Sequence, residues 1–162
     1  MILEIYTLIH VLISLVGILS GFVVMLGLLA GKRLDGWTET FLTTTVATSV
    51  TGFFFPVQHF MPSHAVGILS LLVLAVAIYA RYPAQLAGAW RKVYVITALL
   101  ALYLNVFVAI VQAFLKIPVL KALAPTQTEP PFKLTQLVVL FAFVAIASVA
   151  AIRFRSEPVR AL

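Results

Sequence analysis

Cysteine is absent from the 162 residues, which excludes disulfides, thiol redox chemistry and thiolate metal sites. Any metal would have to be held by nitrogen or oxygen. Acid is also scarce. The five carboxylates are Glu4, Asp35, Glu39, Glu129 and Glu157, and all fall at the ends of apolar runs or between them. None stands at mid-membrane depth, where a proton relay or cation-coupled transport would need one, so a secondary transporter is disfavoured. The chain also lacks an HExxH zinc motif, a glycine-rich phosphate loop and a nucleophile with an evident base and orienting acid, which leaves enzymatic activity open. No internal repeat or low-complexity tail is visible. The opening "MILEIYTLIH" has no basic n-region and carries Glu4 instead, which argues against a cleavable signal peptide.

What is abundant is apolar sequence. Hydrophobic residues make up 63% of the chain and charged residues 10%, with a mean hydropathy of +1.14, which marks an integral membrane protein. The net charge of +6 would suit a nucleic acid by number alone. The eleven Lys and Arg residues, however, sit at the ends of apolar runs and form no basic face, so no nucleic-acid partner is expected and they read as topological anchors.

A spanning helix needs about 20 apolar residues. Five runs approach that length: 5–30, 39–60, 64–80, 93–115 and 134–152. The expectation is an all-α, single-domain (1–162) polytopic bundle of five transmembrane helices in which the third run, the shortest, is also the weakest candidate to span. Pro62 and Ser63 read as a turn followed by an N-cap for that helix, and Pro56 as a kink near the end of the second. Alternating sides place Lys32, Arg33, Arg81, Arg91, Lys92, Arg153, Arg155 and Arg160 on one face and Lys116, Lys121 and Lys133 on the other. Cytoplasmic loops are enriched in Lys and Arg. That asymmetry predicts an outside N-terminus and an inside C-terminus, in a bacterial inner membrane. The segment "KIPVLKALAPTQTEPPFK" is then an outer loop, read as extended because of Pro125, Pro130 and Pro131.

This topology brings the three histidines, His10, His59 and His64, to the outer side. Tyr6, Gln58, Gln112 and Gln136 fall in the same layer, and Asn105 lies about 10 Å deeper than Gln112. On the first helix His10, Ser14, Gly17 and Gly21 share a face of small residues; on the second, Thr45, Thr48, Gly52, Phe55 and His59 line up similarly. Gly17 and Gly21 form a GxxxG, followed by Gly27 and Gly31, the spacing through which membrane helices approach closely. The threonines of "TETFLTTTVATSVTG" are expected to bond to the preceding turn of their own helix.

The stretches "IHVLISLVGILSGFVVMLGLLAGKRLDGW", "TSVTGFFFP" and "PSHAVGILSLLVLAVAIYARY" resemble small bacterial multi-helix integral membrane proteins of unknown function. The resemblance covers the first half of the chain and implies a compact helical bundle with no assigned activity.

From the residues themselves, the candidate site is a polar pocket on the outer side, built from His10, His59, His64, Gln58 and Gln112. Two histidines at similar depth on adjacent helices, His10 and His59 with His64 as an alternative to either, suit b-type haem, with Phe55 and Phe60 flanking the porphyrin and Lys116, Lys121 or Lys133 pairing with propionates. Three imidazoles, His10, His59 and His64, with Gln58 or Glu4 nearby, suit a divalent metal ion. The contrasting expectation is a non-catalytic accessory subunit of a membrane complex, or a lipid- or quinone-binding module, partnered by the bilayer and by another membrane protein or a second copy of the chain.

Overall fold

The computed structural model describes residues 1–56 and 62–155. Among them the chain is helical, without strands: α1 (Ile2–Leu29), α2 (Asp35–Gly52), α3 (Pro62–Arg81), α4 (Trp90–Lys116), α5 (Pro118–Leu123) and α6 (Pro130–Arg153). Four of these, α1, α3, α4 and α6, are long and apolar enough to cross a membrane. The third run therefore qualifies, and the second does not reach the mark. Within its 18 residues α2 carries seven threonines, a serine, Asp35 and Glu39, and it stops at Gly52 rather than at residue 60. The apolar Phe53, Phe54 and Phe55 that lengthen the second run form a turn outside the helix. Pro56 follows that turn, and the residue before a proline is pushed out of the helical region, so the helix ends upstream instead of kinking.

α1 packs on α2, α2 on α3, α3 on α4 and α4 on α1, and α6 lies against α1 and α4 from outside this ring. α2 runs antiparallel along α1, with Phe41 beside Gly21, Thr44 and Thr45 beside Gly17, and Thr51 beside His10. A polar helix is tolerated here because some of its polar side chains face protein. Thr38, Thr45 and Ser49 are buried, Ser49 Oγ donates to Ser70 Oγ on α3 at 3.0 Å, and Asn105 Nδ2 on α4 donates to Thr45 Oγ1 at 3.2 Å. The expected local pattern also occurs, in Thr40 to Gly36, Thr44 to Thr40 and Thr51 to Ala47. Hydroxyls thus serve both their own helix and its neighbours, as interhelical hydrogen bonds in membranes commonly do.

The tight core, with Val24, Leu28, Phe41, Leu74, Tyr94 and Leu102, sits toward the end of the bundle that carries Arg81. Toward the end that carries His10 the packing is looser: on α1 the buried residues begin only at Gly17. The glycine pairs divide in role. Gly17 and Gly21 face α2 and α4 inside the chain, where a Cβ on Gly21 would lie 2.5 Å from Leu102 Cδ1. Gly31 instead ends α1. With φ +69° it supports a Schellman motif, in which Lys32 N–H donates to the Gly27 carbonyl at 2.8 Å and Gly31 N–H to that of Leu28 at 3.1 Å.

Two other local expectations change. α3 begins at Pro62, so Ser63 lies in its first turn rather than capping it. The segment after α4 is not extended, because Pro118 at the first position starts the short helix α5, as a fixed φ at that place favours. Glu129 then organises the following turn, accepting from Thr126 N and Oγ1 through Oε1 and from Thr128 N through Oε2. Partial desolvation works to raise the Glu129 pKa, but the hydrogen bonds from the Thr126 side chain and from the backbone of residues 126, 128 and 129 outweigh it and hold the carboxyl below the usual glutamate value. A depressed folded pKa means that the ordering is present above the ordinary glutamate range and is lost as pH falls through the lower, folded value. Protection of the Thr126 and Thr128 amides, measured against their intrinsic exchange rates at each pH, is therefore expected to fall on acidification through that window, and Glu129→Gln to remove that pH-dependent change in protection.

Candidate functional site

At the His10 end, Tyr6 and His10 lie one turn apart on α1 and both engage Thr51 near the end of α2. Tyr6 Oη donates to the Thr51 carbonyl at 2.6 Å, and His10 Nδ1 lies 2.8 Å from Thr51 Oγ1. The Thr51 hydroxyl has one proton and places it on the Ala47 carbonyl at 2.7 Å, so it accepts from His10. This set of partners assigns the ring proton to Nδ1 and the lone pair to Nε2. Phe55 closes on this pair edge-on, with ring centroids 5.0 Å from both Tyr6 and His10. Gly52 lies against the ring, where a Cβ would stand in ordinary contact at 3.8 Å from His10 Cε1. The small faces read from the two helices, with His10, Gly17 and Gly21 on one and Thr45, Gly52 and Phe55 on the other, do meet. The signal for Thr51 was its place one residue before Gly52 on that face, but its hydroxyl was indistinguishable in the sequence from those of its neighbours.

The other predicted site residues are distributed differently. His64, in the first turns of α3, stacks on Phe53 with centroids 5.6 Å apart. His10 and His64 are therefore linked through the Phe53 to Phe55 turn. Gln112 is exposed on α4 and is not among the residues hydrogen-bonded to His10. Gln136 is buried and donates from Nε2 to the Phe107 carbonyl at 3.3 Å, with its Oε1 left unpartnered; it is a helix-to-helix tie. Gln58 and His59 lie outside the described residues. Among the described residues no three His, Asp or Glu side chains gather as metal ligands, so the three-imidazole site finds no support there. Replacing Gln136 by leucine is expected to change stability by less than about 1 kcal/mol, because one weak bond is lost together with one buried unsatisfied oxygen. A thermal melt in detergent would read this.

The Arg81 end holds a charged cluster that the anchor reading of Lys and Arg missed. Arg81 is only 3% exposed. It donates from Nη2 to Asp35 Oδ1 at the start of α2, an oxygen that also accepts from Arg33 Nε at 2.8 Å. Its guanidinium lies 5.3 Å from the Tyr94 ring centre and 5.7 Å from that of Tyr82, a cation–π arrangement. The Arg81 Nε and the Tyr94 hydroxyl are buried without a hydrogen-bond partner, with Thr38 close to the latter. The hydrogen bond from Arg33, with the fields of Arg33 and Arg81 added, holds the Asp35 carboxyl below its usual value against a smaller opposing desolvation. This cluster fastens the ends of α2, α3 and α4 together. Arg153, whose carbonyl lies beside Gly31, and Arg91, which reaches the Ala151 carbonyl at 3.5 Å, belong to the same end.

Comparison with known proteins finds no match to a family model, to a curated protein or to a solved structure.

Proposed function

We propose that this is a multi-pass protein of the bacterial inner membrane, with its His10 end outside, and that it binds b-type haem at that end through His10 for electron transfer. The observation that supports this most is the anchored imidazole. Thr51 holds Nδ1–H and leaves Nε2 as a bare donor, and a ligating histidine characteristically gives its other ring N–H to an acceptor in this way. Phe55 and Phe53 supply aromatic walls against His10 and His64, and α1 is loosely packed above Gly17. Haem needs one or two protein ligands, which fits the donors present better than a divalent ion needing three or more. A second imidazole would come from His59 or His64. The orientation rests on the cation bias toward the Arg81 end.

The test is purification of the full chain from cells supplied with haem precursor, followed by an absorption spectrum and metal analysis. The proposal expects a Soret band that shifts on reduction, its loss in His10→Ala, and weakened haem retention in Thr51→Val. A colourless, metal-free protein that takes up no added haemin overturns it.

A further inference from the structure

The outward side of the α2 and α3 pair carries a groove of about 240 Å³, lined by Glu39, Leu42, Thr43, Val46, Ile78 and Tyr82. Its walls are aliphatic along the helix axes, and its charge is confined to one end. Exposed aromatic residues Trp37, Tyr79, Tyr82 and Trp90 stand at the ends of α2, α3 and α4 that carry this part of the groove, and Trp and Tyr concentrate at membrane–water interfaces. The mouth of the groove is therefore at headgroup depth, and its aliphatic part extends toward the hydrocarbon.

Glu39 is the unusual member. Among the described residues no cation pairs with it, whereas Asp35, one turn away on α2, takes both Arg33 and Arg81. A bare carboxylate facing the phosphates of surrounding lipids is repelled by them unless a cation intervenes. Asp35 is shared by Arg33 and Arg81, so the cluster one turn from Glu39 on α2 keeps a net positive charge, with Arg33 its half-exposed member.

We propose that the groove between α2 and α3 holds one phospholipid with a primary-ammonium headgroup, its acyl chain along Leu42, Val46 and Ile78, its ammonium on Glu39 and its phosphate toward Arg33. The charges alternate as such a zwitterion requires: carboxylate for ammonium, guanidinium for phosphate. An anionic lipid would meet Glu39 with the wrong sign. A choline headgroup has no N–H to donate. The site is independent of the histidine end.

Native mass spectrometry of the full chain tests this, using equimolar phosphatidylethanolamine, phosphatidylcholine and phosphatidylglycerol with identical acyl chains. One bound phosphatidylethanolamine is expected, preferred about tenfold over each competitor, as one charge-assisted hydrogen bond would give. Glu39→Gln, which preserves shape, is expected to abolish the preference. Thr43→Phe, which fills the groove from an exposed position, is expected to lower retention of phosphatidylethanolamine without touching a charge. Equal or stronger retention of phosphatidylglycerol, an undiminished preference in Glu39→Gln, or unchanged retention in Thr43→Phe would each overturn the proposal.

Discussion

Introducing leucine at Gly21 is expected to lower the stability of the bundle by about 3 kcal/mol, at the upper end of what overpacking usually costs. The first added atom already collides: a Cβ there would stand 2.5 Å from Leu102 Cδ1 and 2.9 Å from Phe41 Cε2. Both neighbours are fully buried, so neither can swing aside into lipid. The contact lies where α1 meets α2 and α4 together, so relief would require moving whole helices. Gly36→Ala is the matched control. Nothing lies within 4 Å of its Cβ position, and alanine favours a helix by about 1 kcal/mol over glycine, so this variant should be neutral or slightly stabilising. Thermal or denaturant unfolding in detergent reads both. A Gly21→Leu protein that melts with the parent would show that α1 does not approach α2 and α4 through this face.

Replacing Asp35 by asparagine is expected to cost about 2 kcal/mol, less than the loss of a fully buried partner because Asp35 itself is 67% exposed and screened by water. The cost arises on the other side of the pair. Arg81 stays buried against Tyr94 with its carboxylate gone and its Nε already unpartnered. A double variant, Asp35→Asn with Arg81→Met, is expected to recover most of the loss, because the stranded charge goes with its partner. The acid response carries the same signature. The folded pKa of Asp35 is depressed, so its contribution is present above the usual aspartate range and lost as pH falls through the lower folded value. Stability of the parent should decline across that window, and Asp35→Asn should flatten that part of the decline. A double variant less stable than Asp35→Asn alone would show that Arg81 stabilises through its tyrosine contacts and not through the carboxylate.

The apolar length of α1, α4 and α6 made them legible, since hydropathy over about 20 residues is a strong signal for a spanning helix. The second helix was legible in existence and wrong in extent. The apolarity of Phe53 to Phe55 reads as helix while the backbone turns ahead of Pro56, and two of the hydroxyls that lower the hydropathy of α2, those of Thr45 and Ser49, meet Asn105 on α4 and Ser70 on α3, which a local window does not see. His10 stood out because a polar ring five residues inside an apolar run needs a partner, and helical spacing placed it on the face that meets α2. Arg81 did not stand out. At the end of an apolar run an arginine looks like a snorkelling anchor, and its burial is decided by Asp35 and Tyr94, far away in sequence. Spacing alone does not distinguish Gly31, a helix stop, from the packing glycines; its positive φ does.

Haem ligation by His10 depends most on the state of its ring. Nitrogen-15 NMR of the histidine-labelled, ligand-free protein, with His10 assigned by comparison with His10→Ala, reads the ring directly. A protonated Nδ1 and a bare, imine-type Nε2 are expected, with the proton redistributed between the two nitrogens in Thr51→Val. A proton fixed on Nε2 in the parent protein would contradict ligation by His10, because the nitrogen offered to a ligand would then be a hydrogen-bond donor and not a lone pair.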